Sequence, residues 1–336
     1  MSVSLSWARR LLPVAILSAA VTLSGCTTSG TEESDTPATS SSSAAAAFPV
    51  TIATAFGDIT VPKAPERVVA LGWSDADVAL SLGVQPVGAA DWLAFGGDGQ
   101  GPWNAGKYTT APELLGTLEI DMEKVAALKP DLILDTRSSG DKARYDQLSK
   151  LGVPVIDVPK GGEQYLTSWE QQLDMIGKAL GKQTEAATLK SDLDAKFTAA
   201  AAANPKFKGA TVAAAVRTGE GWGAYVTGDG RVDFLTKLGF VSAPAIEAKK
   251  TNSFYIQLSQ EQLDLVNADL TVVFLIQATL DQVKSDKLFQ AVPSVKAGHV
   301  AYMDNQDISN AFSSSSIAGL SYAVDKVTPL LASAIG

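Results

Sequence analysis

The sequence predicts an α/β protein of two lobes, each with a mostly parallel sheet flanked by helices. Short apolar runs, which are typical of buried parallel strands, alternate with helical patterns in two separate blocks of the chain. A long amphipathic pattern at residues 184–203 separates the blocks. Its apolar stripe consists of Ala186, Leu189, Leu193, Phe197 and Ala200. A helix of roughly 20 residues is about 30 Å long, and we expect it to join the lobes over residues 182–204.

The beginning of the chain has the pattern of an export signal. Arg9 and Arg10 are followed by an apolar run of about thirteen residues, which is too short to span a bilayer. The run ends in Leu23-Ser24-Gly25-Cys26, which resembles a lipobox. We expect a signal peptide at 1–25 and a lipidated Cys26. The lipid would anchor the protein to the extracytoplasmic face of the cell membrane.

The first lobe is expected at residues 48–181, after a Ser- and Thr-rich disordered tether at 26–47. Ser74 is predicted to cap the first helix, whose acidic first turn suits the helix dipole. The predicted strands are 51–55, 59–61, 68–71, 86–89, 132–134 and 155–158, and the predicted helices are 75–82, 122–128, 142–151 and 165–180.

The second lobe is expected at residues 205–336. The long helix ends at Asn204-Pro205, because the residue before a proline avoids the helical region. The predicted strands are 211–216, 270–275 and 300–302, and the predicted helices are 232–238, 259–265, 289–292 and 316–335. Parallel sheets bind ligands outside the carboxyl ends of their strands. We therefore expect the functional site in the cleft between the lobes.

Charge and composition exclude several classes of function. A net charge of −9 disfavours nucleic acid as a partner. The chain has one cysteine and one histidine, His299, which excludes a disulfide framework and the common cysteine and histidine metal sites. We expect no metal site and no cofactor.

Two sequence features that could indicate an enzyme lack the neighbouring residues that the corresponding catalytic motifs require. The loop Gly96–Gly101 has no Gly-Lys-Ser/Thr ending and is therefore not a phosphate loop. The serines at 313–316 have neither a GxSxG setting nor a base. His299 precedes a predicted strand, has no evident partner acid, and is expected to be structural. We expect that the protein is not an enzyme.

Five segments occur in one characteristic order from Pro65 onward. They are PERVVALGWSDADVALSLGVQPVG, LGTLEIDMEKVAALKPDLIL, LSKLGVPVIDV, LSQEQLDLVNADLTVVF and AVPSVKAGHVAYMD. In these segments and their order, the chain resembles the solute-binding lipoproteins of iron-siderophore ABC importers, a two-lobed family that also includes the vitamin B12-binding protein. The resemblance implies a monomer with a rigid interlobe helix, which captures a ferric siderophore and delivers it to an ABC permease and its ATPase.

The resemblance leaves two questions open. The ligand could instead be haem or a corrinoid, and the siderophore could be a catecholate, a hydroxamate or a mixed chelate.

The resemblance also implies that Glu123 and Glu261, one in each lobe, dock to the permease. The alternative for both is a solvated glutamate in the first turn of a surface helix, where the dipole favours an acid.

A ferric siderophore supplies its own metal ligands, so its carrier needs positive charge and aromatic faces. Arginine suits this task because its planar fork donates directional hydrogen bonds and stacks on rings. Arg137 and Arg217 each directly follow a predicted strand, one in each lobe, although either could instead pair with a nearby acid, Asp135 or Glu220. Aromatic residues lie in the same strand-end loops. The predicted ligand-binding residues are Trp73, Trp92, Trp103, Arg137, Arg217, Trp222, Tyr225 and Tyr255.

Overall fold

A computed structural model describes residues 48–251 and 253–336. The predicted signal peptide, Cys26 and the tether lie outside these residues. The described chain begins with the expected antiparallel hairpin of β1 (Val50–Thr54) and β2 (Gly57–Val61). Buried and exposed residues alternate along β1, as in a strand with one face on the core.

The first lobe is built on a five-stranded sheet in which all paired strands are parallel. Its strands are β3 (Val68–Ala70), β4 (Gly88–Ala89), β5 (Glu113–Leu114), β6 (Leu132–Leu134) and β7 (Val155–Ile156). They lie in the order β5-β4-β3-β6-β7. Every residue of β3 and β6 is buried, because helices or loops cover both faces of the sheet.

Four helices connect and cover this sheet. They are α1 (Asp75–Ser81), α2 (Met122–Ala127), α3 (Lys142–Ser149) and α4 (Trp169–Ala179), with a 3₁₀ turn at Pro102–Asn104. The prediction that the Ser74 side chain caps α1 is wrong. Ser74 has a left-handed backbone, with φ of 65°, and its hydroxyl donates to the Ser314 carbonyl oxygen in the second lobe at 2.8 Å. It therefore contributes to contact between the lobes.

Helix α5 (Gln183–Ala203) follows the first sheet and confirms the predicted long helix. Ala186, Leu193 and Phe197 are buried, and Leu189 and Ala200 are partly buried against the same core. The apolar stripe therefore packs inward, whereas most of the helix surface faces solvent.

The second lobe contains a six-stranded sheet that is mostly parallel around its centre. Its strands are β8 (Thr211–Thr218), β9 (Trp222–Tyr225), β10 (Val241–Ser242), β11 (Tyr255–Leu258), β12 (Leu270–Ile276) and β13 (Val300–Met303). The order is β11-β9-β8-β12-β13, and β10 also pairs with β8. β9 is antiparallel to β8, and β11 is antiparallel to β9. Neither β9 nor β11 is predicted from the sequence.

The remaining helices lie in the second lobe. They are α6 (Gly230–Lys237), α7 (Pro244–Glu247), α8 (Leu280–Ser285), α9 (Lys287–Ala291), α10 (Pro293–Lys296), α11 (Gln306–Ser314) and α12 (Ile317–Ala334), with 3₁₀ turns at Pro205–Phe207 and Gln260–Val266. Helix α11 is absent from the sequence prediction. Ser315, whose φ is 49°, turns the chain between α11 and α12. Within residues 48–251 and 253–336, no helix is long and apolar enough to cross a membrane.

One continuous apolar core links the two lobes. Trp169 of α4, Phe197 of α5 and Phe234 of α6 belong to the same buried cluster as the inner face of α12. Helix α5 packs against both α4 and α12. On its surface, the Lys196 ammonium lies 2.7 Å from the Asp325 carboxylate of α12. The long helix is therefore fixed to elements on either side of it.

Candidate ligand-binding site

A cavity of about 570 Å³ lies between the carboxyl ends of the two central sheets. The first lobe contributes chiefly Trp73, Trp92, Leu93, Arg137, Tyr165 and Leu166. The second lobe contributes chiefly Tyr225, Asp229, Arg231, Phe254, Gln306 and Asn310. The position agrees with the general rule for parallel sheets, since Trp73, Trp92 and Arg137 follow β3, β4 and β6.

The first-lobe wall of the cavity is a stack of three aromatic rings. Trp73 lies between Trp92, at 4.5 Å and 7° between ring planes, and Tyr165, at 4.2 Å and 27°. The Trp73 amide donates to the Arg137 carbonyl oxygen at 2.9 Å, and the Trp73 carbonyl accepts from Gln172 Nε2 at 2.8 Å. These bonds fix the central ring, so the wall presents a preformed apolar face. Tyr165 is not among the residues predicted from the sequence.

Arg137 connects the aromatic wall to the second lobe. Its side chain is buried, with 7% of the residue exposed. Nε donates to the Tyr165 carbonyl oxygen at 3.1 Å and Nη1 to the Ser314 carbonyl oxygen at 2.8 Å. The guanidinium carbon lies 5.9 Å from the centre of the Trp92 ring. Burial lowers the pKa of Arg137 to about 10, so the group stays positively charged at neutral pH.

Arg231 supplies a second guanidinium from the first turn of α6. Nη1 lies 3.0 Å from Asp229 Oδ2, and Nε donates to Ser313 Oγ at 3.2 Å. The guanidinium carbon lies 4.1 Å from the centre of the Tyr225 ring, which is within cation–π range. Burial opposes the charged form of Arg231, but the Asp229 carboxylate outweighs it and the pKa of Arg231 is raised. The sequence prediction did not include Arg231.

Strand alternation determines where the aromatic residues of β9 lie. Tyr225 faces the cavity and is 5% exposed, whereas Trp222, three residues earlier, is on the opposite face of the sheet. Trp222 stacks on Phe289 at 4.4 Å, and its Nε1 donates to Asp286 Oδ2 at 2.8 Å. Trp222 therefore packs in a buried cluster that does not line the cavity.

Arg217 and Tyr255 also lie outside the cavity lining. Arg217 pairs with Trp222 across β8 and β9, and its Nη1 donates to the Thr218 carbonyl oxygen. Its side chain follows the face of the sheet that carries Trp222. The Tyr255 ring covers Gly223 on the neighbouring strand so closely that a Cβ on Gly223 would come within 2.3 Å of it.

Trp103 lines a different cavity, of about 490 Å³, together with residues of α5 and α12. Its Nε1 donates to Asp77 Oδ2 at 2.9 Å, and the ring lies 6.0 Å from Tyr322. The same Asp77 oxygen accepts from Ser316 Oγ at 2.7 Å. Burial raises the pKa of Asp77. Trp103 therefore contacts the junction of α1 and α12 behind the cleft.

A buried carboxylate, Asp75, supports the loops that carry Trp73 and Arg137. It accepts hydrogen bonds from the Gly72 amide at 3.1 Å, the Thr136 amide at 2.9 Å and Gln172 Nε2 at 2.6 Å. Burial raises the pKa of Asp75 to about 6, although the bonds from Thr136 and Gln172 favour the charged form. In the described part of the chain, no group of His, Cys, Asp or Glu side chains is arranged to hold a metal ion.

The two glutamates predicted to dock to a permease are exposed. Glu123 lies in the first turn of α2, and Glu261 lies in the first turn of the 3₁₀ helix Gln260–Val266. Each comes from a different lobe. Both side chains are therefore accessible to a partner.

Comparison with known proteins identifies the family of this chain. A family profile described as periplasmic binding protein matches residues 68–306. The chain belongs to this family. The match includes both sheets, from the start of β3 to the first residue of α11, and therefore contains most of the residues that line the cavity.

Two proteins similar to this chain have names that refer to the binding of a ligand or substrate. The Fe(3+)-citrate-binding protein YfmC of Bacillus subtilis is 27% identical over 247 residues, which are 73% of this chain and 75% of YfmC. The ABC transporter substrate-binding lipoprotein YvrC of the same organism is 31% identical over 188 residues, which are 53% of this chain. That match spans about half of YvrC, 55% of its length.

Solved structures of the family share the two-lobed fold. The iron-uptake protein PiaA from Streptococcus pneumoniae, in complex with ferrichrome, has a TM-score of 0.74 and 26% identity over 85% of this chain and 98% of PiaA. A periplasmic solute-binding protein from Mycobacterium smegmatis has a TM-score of 0.72 and 26% identity over 86% of this chain and 99% of its own. The expected fold class is thus confirmed.

Proposed function

We propose that this protein is the solute-binding component of an ABC importer and that it captures a ferric siderophore between its lobes. The observation that carries the proposal is a cavity with a stacked aromatic wall and two guanidinium groups. A siderophore encloses its iron, so its carrier needs surfaces for the chelator and no metal ligands. The names of YfmC and of the PiaA complex with ferrichrome support the same class of ligand.

The proposed binding residues combine predicted and newly found positions. Trp73, Trp92, Arg137 and Tyr225 come from the sequence prediction and line the cavity. Tyr165 and Arg231 line it as well and join the proposal. Trp103, Arg217, Trp222 and Tyr255 do not line this cavity, so the proposal assigns them no contact with the ligand.

Haem has less support than a siderophore as the ligand. A haem carrier usually supplies an axial side chain such as His, Tyr or Met. Among the described residues of the cavity lining, only the tyrosines Tyr165 and Tyr225 belong to these types. Tyr165 is stacked on Trp73, and the Tyr225 ring lies against Arg231. A Soret band that appears when haem is added would favour haem instead.

The proposal includes how the protein would work at the membrane. Lipid on Cys26 anchors it to the extracytoplasmic face, and the residues around Glu123 and Glu261 dock to the permease, which acts with its ATPase. The monomer has lobes at residues 48–181 and 205–336, joined by a rigid helix at 182–204. Its relatives are named as binding proteins, and we assign this chain no catalytic role.

Tryptophan fluorescence tests the proposed function directly. A ferric siderophore should quench the emission of Trp73 and Trp92, whereas the iron-free chelator should leave it nearly unchanged. Trp73→Phe should remove part of the quench. Trp222→Phe is the matched control and should leave the quench unchanged, because Trp222 lies in a separate buried cluster. Absence of a response to hydroxamate, catecholate and mixed ferric chelates alike would refute the function.

A further inference from the structure

The charges that line the cavity nearly cancel. Its ionised side chains are Arg137, Arg231 and Asp229, which together leave one net positive charge. Asp229 lies 3.0 Å from Arg231 Nη1, so much of that guanidinium's field is neutralised within the protein. Asp229 and the buried Asp75 also offset the charge of Arg137. The cavity is therefore much less positive than two arginines would suggest.

The hydrogen-bonding capacity of these arginines is partly used by the protein itself. Nε and Nη1 of Arg137 donate to the carbonyl oxygens of Tyr165 and Ser314. Nε and Nη1 of Arg231 donate to Ser313 and Asp229. Within residues 48–251 and 253–336, Nη2 of each arginine has no hydrogen-bond partner. Each arginine therefore keeps one amino group that these protein contacts do not use.

Neutral polar side chains make up much of the second-lobe wall. These are Gln277, Gln306, Ser309, Asn310 and Ser313. Gln306 Nε2 donates to Asn310 Oδ1 at 2.7 Å, which orients both amides. Amides and hydroxyls bind carbonyl and N–H groups of a ligand without requiring ligand charge. This wall suits a chelator with an amide-rich backbone.

We propose that the site selects a ferric chelate of low net charge, of the trihydroxamate class, over a tris-catecholate. Three hydroxamates each contribute one negative charge and neutralise ferric iron, whereas three catecholates leave the complex triply negative. One net positive charge cannot compensate a triply negative ligand, and buried charge without a counter-charge is strongly unfavourable. This inference rests on the proposed function and specifies the chemical class of the siderophore.

Parallel titrations separate the inference from the function on which it rests. Ferrichrome, a neutral trihydroxamate, should bind at least about ten-fold more tightly than ferric enterobactin, a tris-catecholate. Its affinity should also change little between low and high salt. Equal or tighter binding of ferric enterobactin overturns the charge inference and leaves the siderophore function standing. Binding of neither chelate, nor of ferric citrate, overturns both.

Asp229→Asn tests whether Asp229 sets the charge limit. The variant keeps an N-cap oxygen for the Arg231 amide and makes the cavity one charge more positive. We expect the affinity for ferric enterobactin, divided by the affinity for ferrichrome, to rise about ten-fold. Asp264→Asn, at an exposed position outside the cavity, removes the same charge and should change neither affinity. An unchanged ratio of the two affinities in folded Asp229→Asn contradicts the inference.

Discussion

Arg231 holds its guanidinium between an aromatic ring and a carboxylate at the edge of the cavity. Arg231→Gln removes a donor to the chelate and leaves Asp229 without its counter-charge. We predict that affinity for a ferric siderophore falls about ten-fold or more. The matched variant is Arg217→Gln, which removes an arginine of the same lobe outside the cavity. It should change affinity by less than about two-fold; calorimetric titration of both folded variants would check this.

Asp157 should make stability depend on pH. It follows β7, its Oδ1 accepts from the Val158 amide at 2.7 Å, and burial raises its pKa to about 7, with a further contribution from nearby Asp135. The folded protein therefore keeps a proton that the unfolded chain loses near pH 4. Because the native state binds more protons in this window, the contribution of Asp157 to the free energy of unfolding falls as pH rises from about 4 to about 7.

Asp157→Asn should remove the loss of stability that Asp157 causes as pH rises. We predict that the variant is more stable than the parent at pH 8 by on the order of 1 kcal/mol and that the difference shrinks towards pH 4. Denaturant unfolding at both pH values measures it. Asp304→Asn, at an exposed position, serves as the control and should leave the pH dependence unchanged. A larger gain at pH 4 than at pH 8 would have the wrong sign for this account.

The turn between α11 and α12 joins the two lobes. Ser316 Oγ caps α12 by accepting from the Gly319 amide at 3.0 Å, and it donates to Asp77 of α1 at 2.7 Å. Ser168 caps α4 in the same way but has no such second partner among the described residues. We predict that Ser316→Ala lowers the free energy of unfolding by about 2 kcal/mol and Ser168→Ala by about 1 kcal/mol. If thermal or denaturant unfolding showed equal losses of stability in the two variants, the hydrogen bond from Ser316 to Asp77 would have no stabilising role.

Regular apolar patterns made most elements predictable. The apolar runs at Val68–Ala70 and Leu132–Leu134 are buried strands. The apolar stripe at residues 184–203 predicted the length of α5 to within one residue. The elements that were missed lack such patterns. β9 is Trp-Gly-Ala-Tyr, and α11 is rich in serine and polar residues. Their tertiary partners stabilise them, and those contacts cannot be read from local propensity.

The candidate site was predictable only where strand ends were predicted well. Trp73 and Arg137 follow short strands, so their position at the carboxyl ends could be inferred. β8 instead continues to Thr218, which makes Arg217 part of the strand and points it to the other face of the sheet. Arg231 depends on β9, which the sequence pattern does not indicate. Tyr165 depends on a loop contact with Trp73 across the first lobe.

Ligand binding by the cavity and delivery of the ligand to the permease should be separable. Glu123→Lys combined with Glu261→Lys reverses one exposed charge in each lobe, at positions that do not line the cavity. We predict that affinity for a ferric siderophore changes by less than about two-fold while uptake by cells falls at least about ten-fold, because the lysines would repel the basic permease residues to which we propose that the glutamates dock. Uptake of radioactive iron measures this.

The control for that variant reverses an equal number of charges elsewhere. Asp146→Lys combined with Asp281→Lys also changes one exposed acid in each lobe, on α3 and α8. Uptake should remain near that of the parent protein. Normal uptake by the Glu123 and Glu261 double variant, or an equal loss in the control, would exclude specific docking through these glutamates.

Anomalous X-ray scattering from crystals of the protein with ferrichrome locates the bound iron and shows whether the ligand lies between the lobes. We predict one iron peak in the cavity between the lobes, between the stacked rings of Trp73 and Trp92 and the side chains of Arg231 and Asn310. Iron in the other cavity, beside Trp103 and Tyr322, or only on the outer surface, would show that the chelate does not bind between the lobes.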